Sequence, residues 1–184
     1  SLGLKQAQTL ANYFNRSDRA FDACYSGTLQ RQRKTRDTIL EHLIDSCDDV
    51  CEEGALNEIP FQELLPAYII ASPNDPLVLN FQHADDTNRI ACHFRLLRKA
   101  IAAWHKGKVS GDFPQWGDFK SNLIQWTKNI QATHSTHKNI LAVSSGGTMG
   151  TILSYLLRAP PKTMIEMNFQ IRNTAYCEVA FNTK

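Results

Sequence analysis

Apolar residues recur along this chain with two different periods, and the changes of period mark its elements. Leu4, Ala7, Leu10 and Phe14 fall three or four apart, so residues 3–15 are expected as an amphipathic helix. In the "FDACYSG" that follows, Phe21, Ala23 and Tyr25 alternate with Asp22 and Cys24, the pattern of a short strand. Leu29, Leu40, Leu43, Ile44 and Cys47 outline the buried side of a second helix. Residues 48–60 hold no period and are expected as irregular chain. Pro60, Pro66, Pro73 and Pro76 interrupt the next stretch, leaving room for a short helix near 61–71.

The second half is more regular. Ile90, Phe94, Leu97, Ile101 and Trp104 form one helical stripe, opened by Asp85-Asp86 and stopped at Gly107. Trp116, Phe119, Leu123, Trp126 and Ile130 form another after Pro114. These aromatics read as core rather than as a ligand cage. Residues 139–143 form an apolar strand, and a helix is expected from about Gly147 to Leu157. "PPKTMIEM" predicts a short helix beginning at proline, and "AYCEVAF" alternates as a final strand. Strand-then-helix units at both ends, without repeats or linkers, predict a doubly wound α/β layer fold in one domain over residues 1–184. In such folds ligands bind at the C-terminal ends of strands. That directs attention to Ser26-Gly27-Thr28 and to Ser144–Gly147.

Composition narrows the picture. A length of 184 residues, 42% of them hydrophobic and 21% charged, suits one globular domain. A net charge of +2 argues against nucleic acid as the main partner. No apolar run reaches the ~18 residues of a membrane helix. Five scattered cysteines argue against a disulfide framework and for a reducing, cytoplasmic compartment. Cys47, Cys51 and His42 fall short of the ligand set of a zinc site, and no metal is expected.

The stretch "NILAVSSGGTMGTILSYLL" carries the first candidate chemistry. Its glycines allow a sharp turn and a close approach to the first helical N–H groups, which have no intrahelical partner and favour an anion. A tight turn without a ligand is the other reading. Arg31 lies just inside the helix that follows the first strand. It shares a face with Thr35, Ile39 and Leu43, and so is expected near the buried side, where its guanidinium suits a phosphate. Arg33, Lys34 and Arg36 read as a solvated basic face. No Lys-Ser/Thr follows the last glycine, so this is no P-loop, and "GGTMG" is not the dinucleotide fingerprint. Ser145 does not sit in the Gly-x-Ser-x-Gly frame of α/β-hydrolases, and all six histidines precede it. His134 and His137 read as exposed loop residues.

"LGLKQAQTLANYF", "YSGTLQRQRKT", "ALNE" and "LAVSSGGTMGTILSYLL", in that order, resemble the histidine phosphatase superfamily, the phosphoglycerate mutase-like enzymes. The likeness spans essentially the whole chain. It is greatest to small bacterial members with a Ser-Gly-Gly turn and an "IRN" stretch, here Ile171-Arg172-Asn173. It implies a three-layer α/β sandwich, a mostly parallel sheet with helices on both faces. It implies a phosphomonoesterase working through a phosphohistidine, with a phosphorylated small molecule as substrate and no cofactor; a homodimer stays open. The family pattern S-P-L-x-R-A-x-Q-T falls on Gly27–Thr35, which makes Arg31 the phosphate clamp. The acid of L-N-E falls on Glu58 and implies a proton donor to the leaving oxygen. Ser145, Gly146 and Gly147 would line the phosphate pocket. The family's nucleophile is the histidine of an Arg-His-Gly tripeptide after a first strand. Both are expected upstream of Leu2, and the tail too is short for the family. Relatives often carry His-Gly where this chain has Ser145-Gly146, so a hydroxyl replaces a cationic partner there. A non-catalytic phospho-ligand binding or regulatory domain is therefore the alternative, and a structural α/β domain without ligand a further one.

Overall fold

The computed structural model describes residues 1–45, 47–132 and 137–181. Three short strands form one sheet in the order β2-β1-β3: β1 (Ala23–Ser26), β2 (Asp49–Glu52) and β3 (Ile140–Val143). Both pairings are parallel, with Cys24 opposite Val50 on one side and Leu141 on the other. The helices are α1 (Leu2–Arg16), α2 (Gln30–His42), α3 (Phe61–Ala71), α4 (Pro76–Gln82), α5 (Asp86–His105), α6 (Trp116–Ala132), α7 (Gly146–Leu156) and α8 (Pro161–Gln170).

Helices cover both faces of the sheet, because alternate strand residues face two separate cores. On one face Ala7, Ala11, Phe14, Ile39, Leu43 and Val143 join α1 and α2 to the strands. On the other, the larger core centres on Leu64, Leu96, Ile101, Trp104 and Leu123, with Tyr25 of β1 packed against it. Tyr25 meets Trp126 of α6 edge-to-face at 5.9 Å. The α/β layer fold expected from the strand-then-helix units, and the sandwich implied by the resemblance, are thus present, with every strand pair among the described residues parallel.

The differences have local causes. Residues 48–60 hold β2 and a 3-10 turn at Gly54–Leu56. β2 is an edge strand with three exposed positions and acidic ends, so it shows no apolar alternation. Pro76 starts a helix rather than breaking one: it occupies the first turn of α4, and the Asp75 carboxylate accepts the Leu77 N–H at 2.8 Å. Helix α2 ends at His42, and Ile44, expected on its buried side, is 80% exposed. In α5 the stripe is buried from Leu97 onward, whereas Ile90 and Phe94 are exposed. The helix starts at Asp85, whose side chain caps Asn88 N–H, and gives way at Gly107, where φ is +66°.

The expected last strand is absent. Residues 175–181 pair with no strand and are tied instead to α1 and the loop after it. Tyr176 hydroxyl meets Tyr13 hydroxyl at 2.8 Å, and Glu178 pairs with Arg19 at 2.8 Å. Alternation alone cannot make a strand without a neighbouring edge to pair with. Among the described residues no helix is long and apolar enough to cross a membrane.

Candidate phosphate site at the strand C-termini

Three turns follow the three parallel strands, and hydrogen bonds fasten them together. After β1 the chain turns through Gly27, where a β-carbon would collide with the Gln32 carboxamide and crowd Asn57 Oδ1. The next residue, Thr28, donates its N–H to Asn57 Oδ1 at 2.7 Å and accepts from Asn57 Nδ2 at 2.8 Å. After β2 the 3-10 turn delivers Asn57 and Glu58. After β3, Ser144 Oγ donates to Leu56 C=O at 2.7 Å and Thr148 Oγ1 donates to Asn57 C=O at 2.5 Å. The second turn is therefore held from both sides by side chains of the other two.

This arrangement brings Glu58 against the N-terminus of α7. Glu58 Oε1 accepts the N–H groups of Ile59 at 2.9 Å and Gly147 at 3.1 Å. Gly147 permits the approach, since a β-carbon there would strike Glu58 Oε1 and the Ile59 side chain. The Glu58 side chain is only 13% exposed. Burial pushes its carboxyl above the usual range, and the Ile59 N–H, the Arg31 charge and the Gly147 N–H pull it partly back. A carboxyl so placed is disposed to hold a proton.

Arg31 reaches over the same spot from the first turn of α2. Its Nη2 lies 3.5 Å from Ser145 Oγ and 4.0 Å from Glu58 Oε2. The structure thus brings Arg31, Glu58 and Ser145–Gly147 to one place. It corrects the burial expected for Arg31, whose side chain is 61% exposed. The first turn of α2 stands beyond the sheet's end, so the guanidinium meets the mouth of the site rather than the core.

The basic face is corrected too. Arg33 binds Glu52 at 2.6 Å and Lys34 is exposed, but Arg36 is only 11% exposed. Its Nη1 donates to Ser26 Oγ at 2.9 Å and to Glu52 Oε1 at 3.4 Å, which binds the ends of β1 and β2 behind the turn. His137 is half-buried against Asp49 at 3.1 Å, not free in a loop, and His134 lies outside the described residues. Residue periodicity gave no notice of Gln32, Arg36 or Asn57. Gln32 and Arg36 are polar residues in a polar helix turn; Asn57 had only its place beside Glu58 as a signal. Among the described residues no group of three or more His, Cys, Asp or Glu side chains is arranged to hold a metal ion.

The site opens into a groove of about 590 Å³. Arg31, Glu58, Ser145 and Gly146 line it, together with β3, Ile130 and residues 171–179.

No curated protein matches the chain. Among solved structures, it is similar to alpha-ribazole phosphatase from Shigella flexneri at 18% identity and TM-score 0.56, covering 90% of this chain and 70% of that one. It is similar to phosphoglycerate mutase from Bacillus anthracis str. Sterne at 18% identity and TM-score 0.55, covering 83% and 66%. A phosphoserine phosphatase mutant from Entamoeba histolytica, in complex with phosphoserine, aligns at 17% identity and TM-score 0.52, covering 91% and 69%. At such identities the likeness is one of fold. The family model of the histidine phosphatase superfamily (branch 1) matches residues 80–184, more than half of the chain, and that stretch includes Ser145–Gly147. The chain therefore belongs to the histidine phosphatase superfamily.

Proposed function

We propose that this protein hydrolyses a phosphomonoester of a small molecule through a phosphohistidine intermediate, in the cytoplasm, and that residues 1–184 belong to a single histidine-phosphatase-like domain whose nucleophile strand and loop lie upstream. The observation that carries this reading is the meeting of a cation, a buried carboxyl and the N-terminus of α7 at the ends of three parallel strands. Arg31 clamps two phosphoryl oxygens. Ser145 and the N–H group of Gly146 take the remaining charge, while Gly147 lines the pocket with its N–H on Glu58. A histidine upstream of Ser1 attacks phosphorus, and the P–O bond to the leaving alkoxide breaks as Glu58 gives that oxygen its proton. Water then attacks the phosphohistidine and returns a proton to the Glu58 carboxylate, which releases phosphate and restores the imidazole. The groove supports the placement of the nucleophile. A further parallel strand laid along β3 would pair with its outer edge and end beside Arg31 and Ser145.

The test is phosphate release from p-nitrophenyl phosphate across about pH 5–8. Residues 1–184 alone are expected to release none. The same chain with its natural upstream sequence, carrying Arg-His-Gly, is expected to turn over slowly. Turnover by residues 1–184 alone would sink the phosphohistidine mechanism. An intact tripeptide without turnover on any phosphomonoester would favour the second reading, a phospho-ligand binding domain. One observation favours that reading: Ser145 offers no positive charge to the transition state.

A further inference from the structure

Gln32 is 2% exposed, although it sits in the first turn of a polar helix. Its side chain does not face solvent but crosses beneath Arg31 to the other side of the site. Nε2 donates to Leu56 C=O at 2.8 Å and to Ser145 Oγ at 2.9 Å, while Oε1 accepts the Leu29 N–H at 3.3 Å. Two backbone groups fix the orientation of the carboxamide. Turning it over would set Oε1 against the Leu56 carbonyl and an N–H against the Leu29 N–H, leaving both unpaired. Gly27 leaves the space that this carboxamide fills.

The consequence falls on Ser145. A hydroxyl has two lone pairs and one proton. One lone pair takes Gln32 Nε2–H, and the Arg31 guanidinium approaches the same oxygen at 3.5 Å. The proton has to point elsewhere, and among the described residues no acceptor for it lies within bonding distance. Ser145 is half-buried and lines the groove.

We propose that Gln32 is a positioning residue that makes the Ser145 hydroxyl an obligate hydrogen-bond donor toward an anion held beside Arg31. The inference rests on the phosphate site proposed above. The Gln32–Ser145 pair acts as a neutral donor whose charge does not change with pH. A buried glutamine, not a basic group, gives the hydroxyl its direction.

The experiment uses the isotopically labelled 184-residue chain and inorganic phosphate. In the free protein the two Gln32 side-chain amide protons should exchange slowly, and Ser145→Ala should shift one of them and speed its exchange. Phosphate is then titrated while the Ser145–Gly147 amides are followed. Ser145→Ala and Gln32→Met should each weaken binding about tenfold, the worth of one hydrogen bond to a charged group. The double variant should lose no more than either single one. Ser145→Thr should keep most of the affinity. Gln32→Glu should bind more weakly than Gln32→Met, because a carboxylate recaptures the Ser145 proton and adds like charge; loss of packing alone would not produce that order. If Gln32→Met does not fold, the Ser145→Ala and Ser145→Thr pair still decides. Unchanged Gln32 amides in Ser145→Ala, or additive losses, overturn the inference and leave the phosphate site standing. Wild-type protein that binds no phosphate overturns the proposed function and the donor role with it. The Gln32–Ser145 bond is read separately from the amide protons.

Discussion

Gly147→Ala tests whether the contact between Glu58 and the start of α7 holds the site together. A β-carbon at 147 runs into Glu58 Oε1 and comes within 2.6 Å and 2.8 Å of the Ile59 side chain. Ile59 is 2% exposed and has no room to retreat. Glu58 can swing aside only by giving up one or both N–H bonds, from Ile59 at 2.9 Å and Gly147 at 3.1 Å. Leaving a buried N–H unpaired costs about 1–3 kcal/mol. Overpacking a filled core costs a further 1–3 kcal/mol or so. Alanine's better helix propensity returns at most about 1 kcal/mol. The clash wins, and the net loss is about 2–4 kcal/mol, or roughly 5–15 °C in Tm for a domain of this size. Gly117→Ala in α6 is the control, since a β-carbon there meets nothing within 4 Å. It should hold or gain up to about 1 kcal/mol. Urea and thermal unfolding followed by circular dichroism read both. A Gly147→Ala protein that melts within about one degree of wild type would refute the reasoning, because a clash of that size cannot leave Tm unchanged.

Two further outcomes follow from the charges. Burial holds the Glu58 carboxyl above its ordinary range, so ionising it opposes folding. The stability contributed by its neutral form is complete below the unfolded value and is lost as pH rises through the raised one. Glu58→Gln keeps an acceptor for both N–H groups, so its Tm should gain on wild type as pH climbs from about 4 to 8; a gap that does not vary with pH contradicts this. Arg31→Ala should weaken phosphate binding by roughly 1.5–3 kcal/mol, whereas Arg33→Ala should change little. Arg33 is committed to Glu52 at 2.6 Å, and equal losses in calorimetric titration would show that the basic cluster acts as a diffuse field.

What was legible in the sequence followed from burial. Periodic helices with buried stripes, such as Phe119, Leu123 and Trp126 of α6, show their elements directly, and the strand–turn–helix units around Gly27 and Ser145 show where the C-terminal end of the sheet lies. β2 was not legible, because an edge strand of Asp49, Val50, Cys51 and Glu52 buries almost nothing. The strand expected at 175–181 failed for the opposite reason: its alternation is genuine, but pairing depends on a partner edge that the residues themselves do not specify. Arg31, Glu58 and Ser145 could be proposed from motif order, yet nothing in that order places Gln32 beneath them. Long-range hydrogen bonds have no period, so their donors read as surface.

The charge balance of the site links these parts. Arg31 carries its positive charge above a carboxyl that burial disposes to stay protonated. With Glu58 ionised the two cancel, and an arriving phosphate meets one positive and one negative group. With Glu58 neutral the same pocket presents a net positive charge, N–H groups of α7 and a hydroxyl donor. At the proposed site phosphate would therefore bind best to the protonated form, and its own negative charge would raise the Glu58 pKa further. On the proposed mechanism binding and protonation would reinforce each other, so the bound state would be the one in which Glu58 holds the proton that a leaving oxygen needs. An imidazolium at 145 would hold the phosphate more tightly, but its charge would also pull the Glu58 proton away. A serine held by a buried glutamine supplies a donor without that second effect. On the proposed mechanism the neutral turn would thus give up some affinity for the anion and leave the acid role of Glu58 intact.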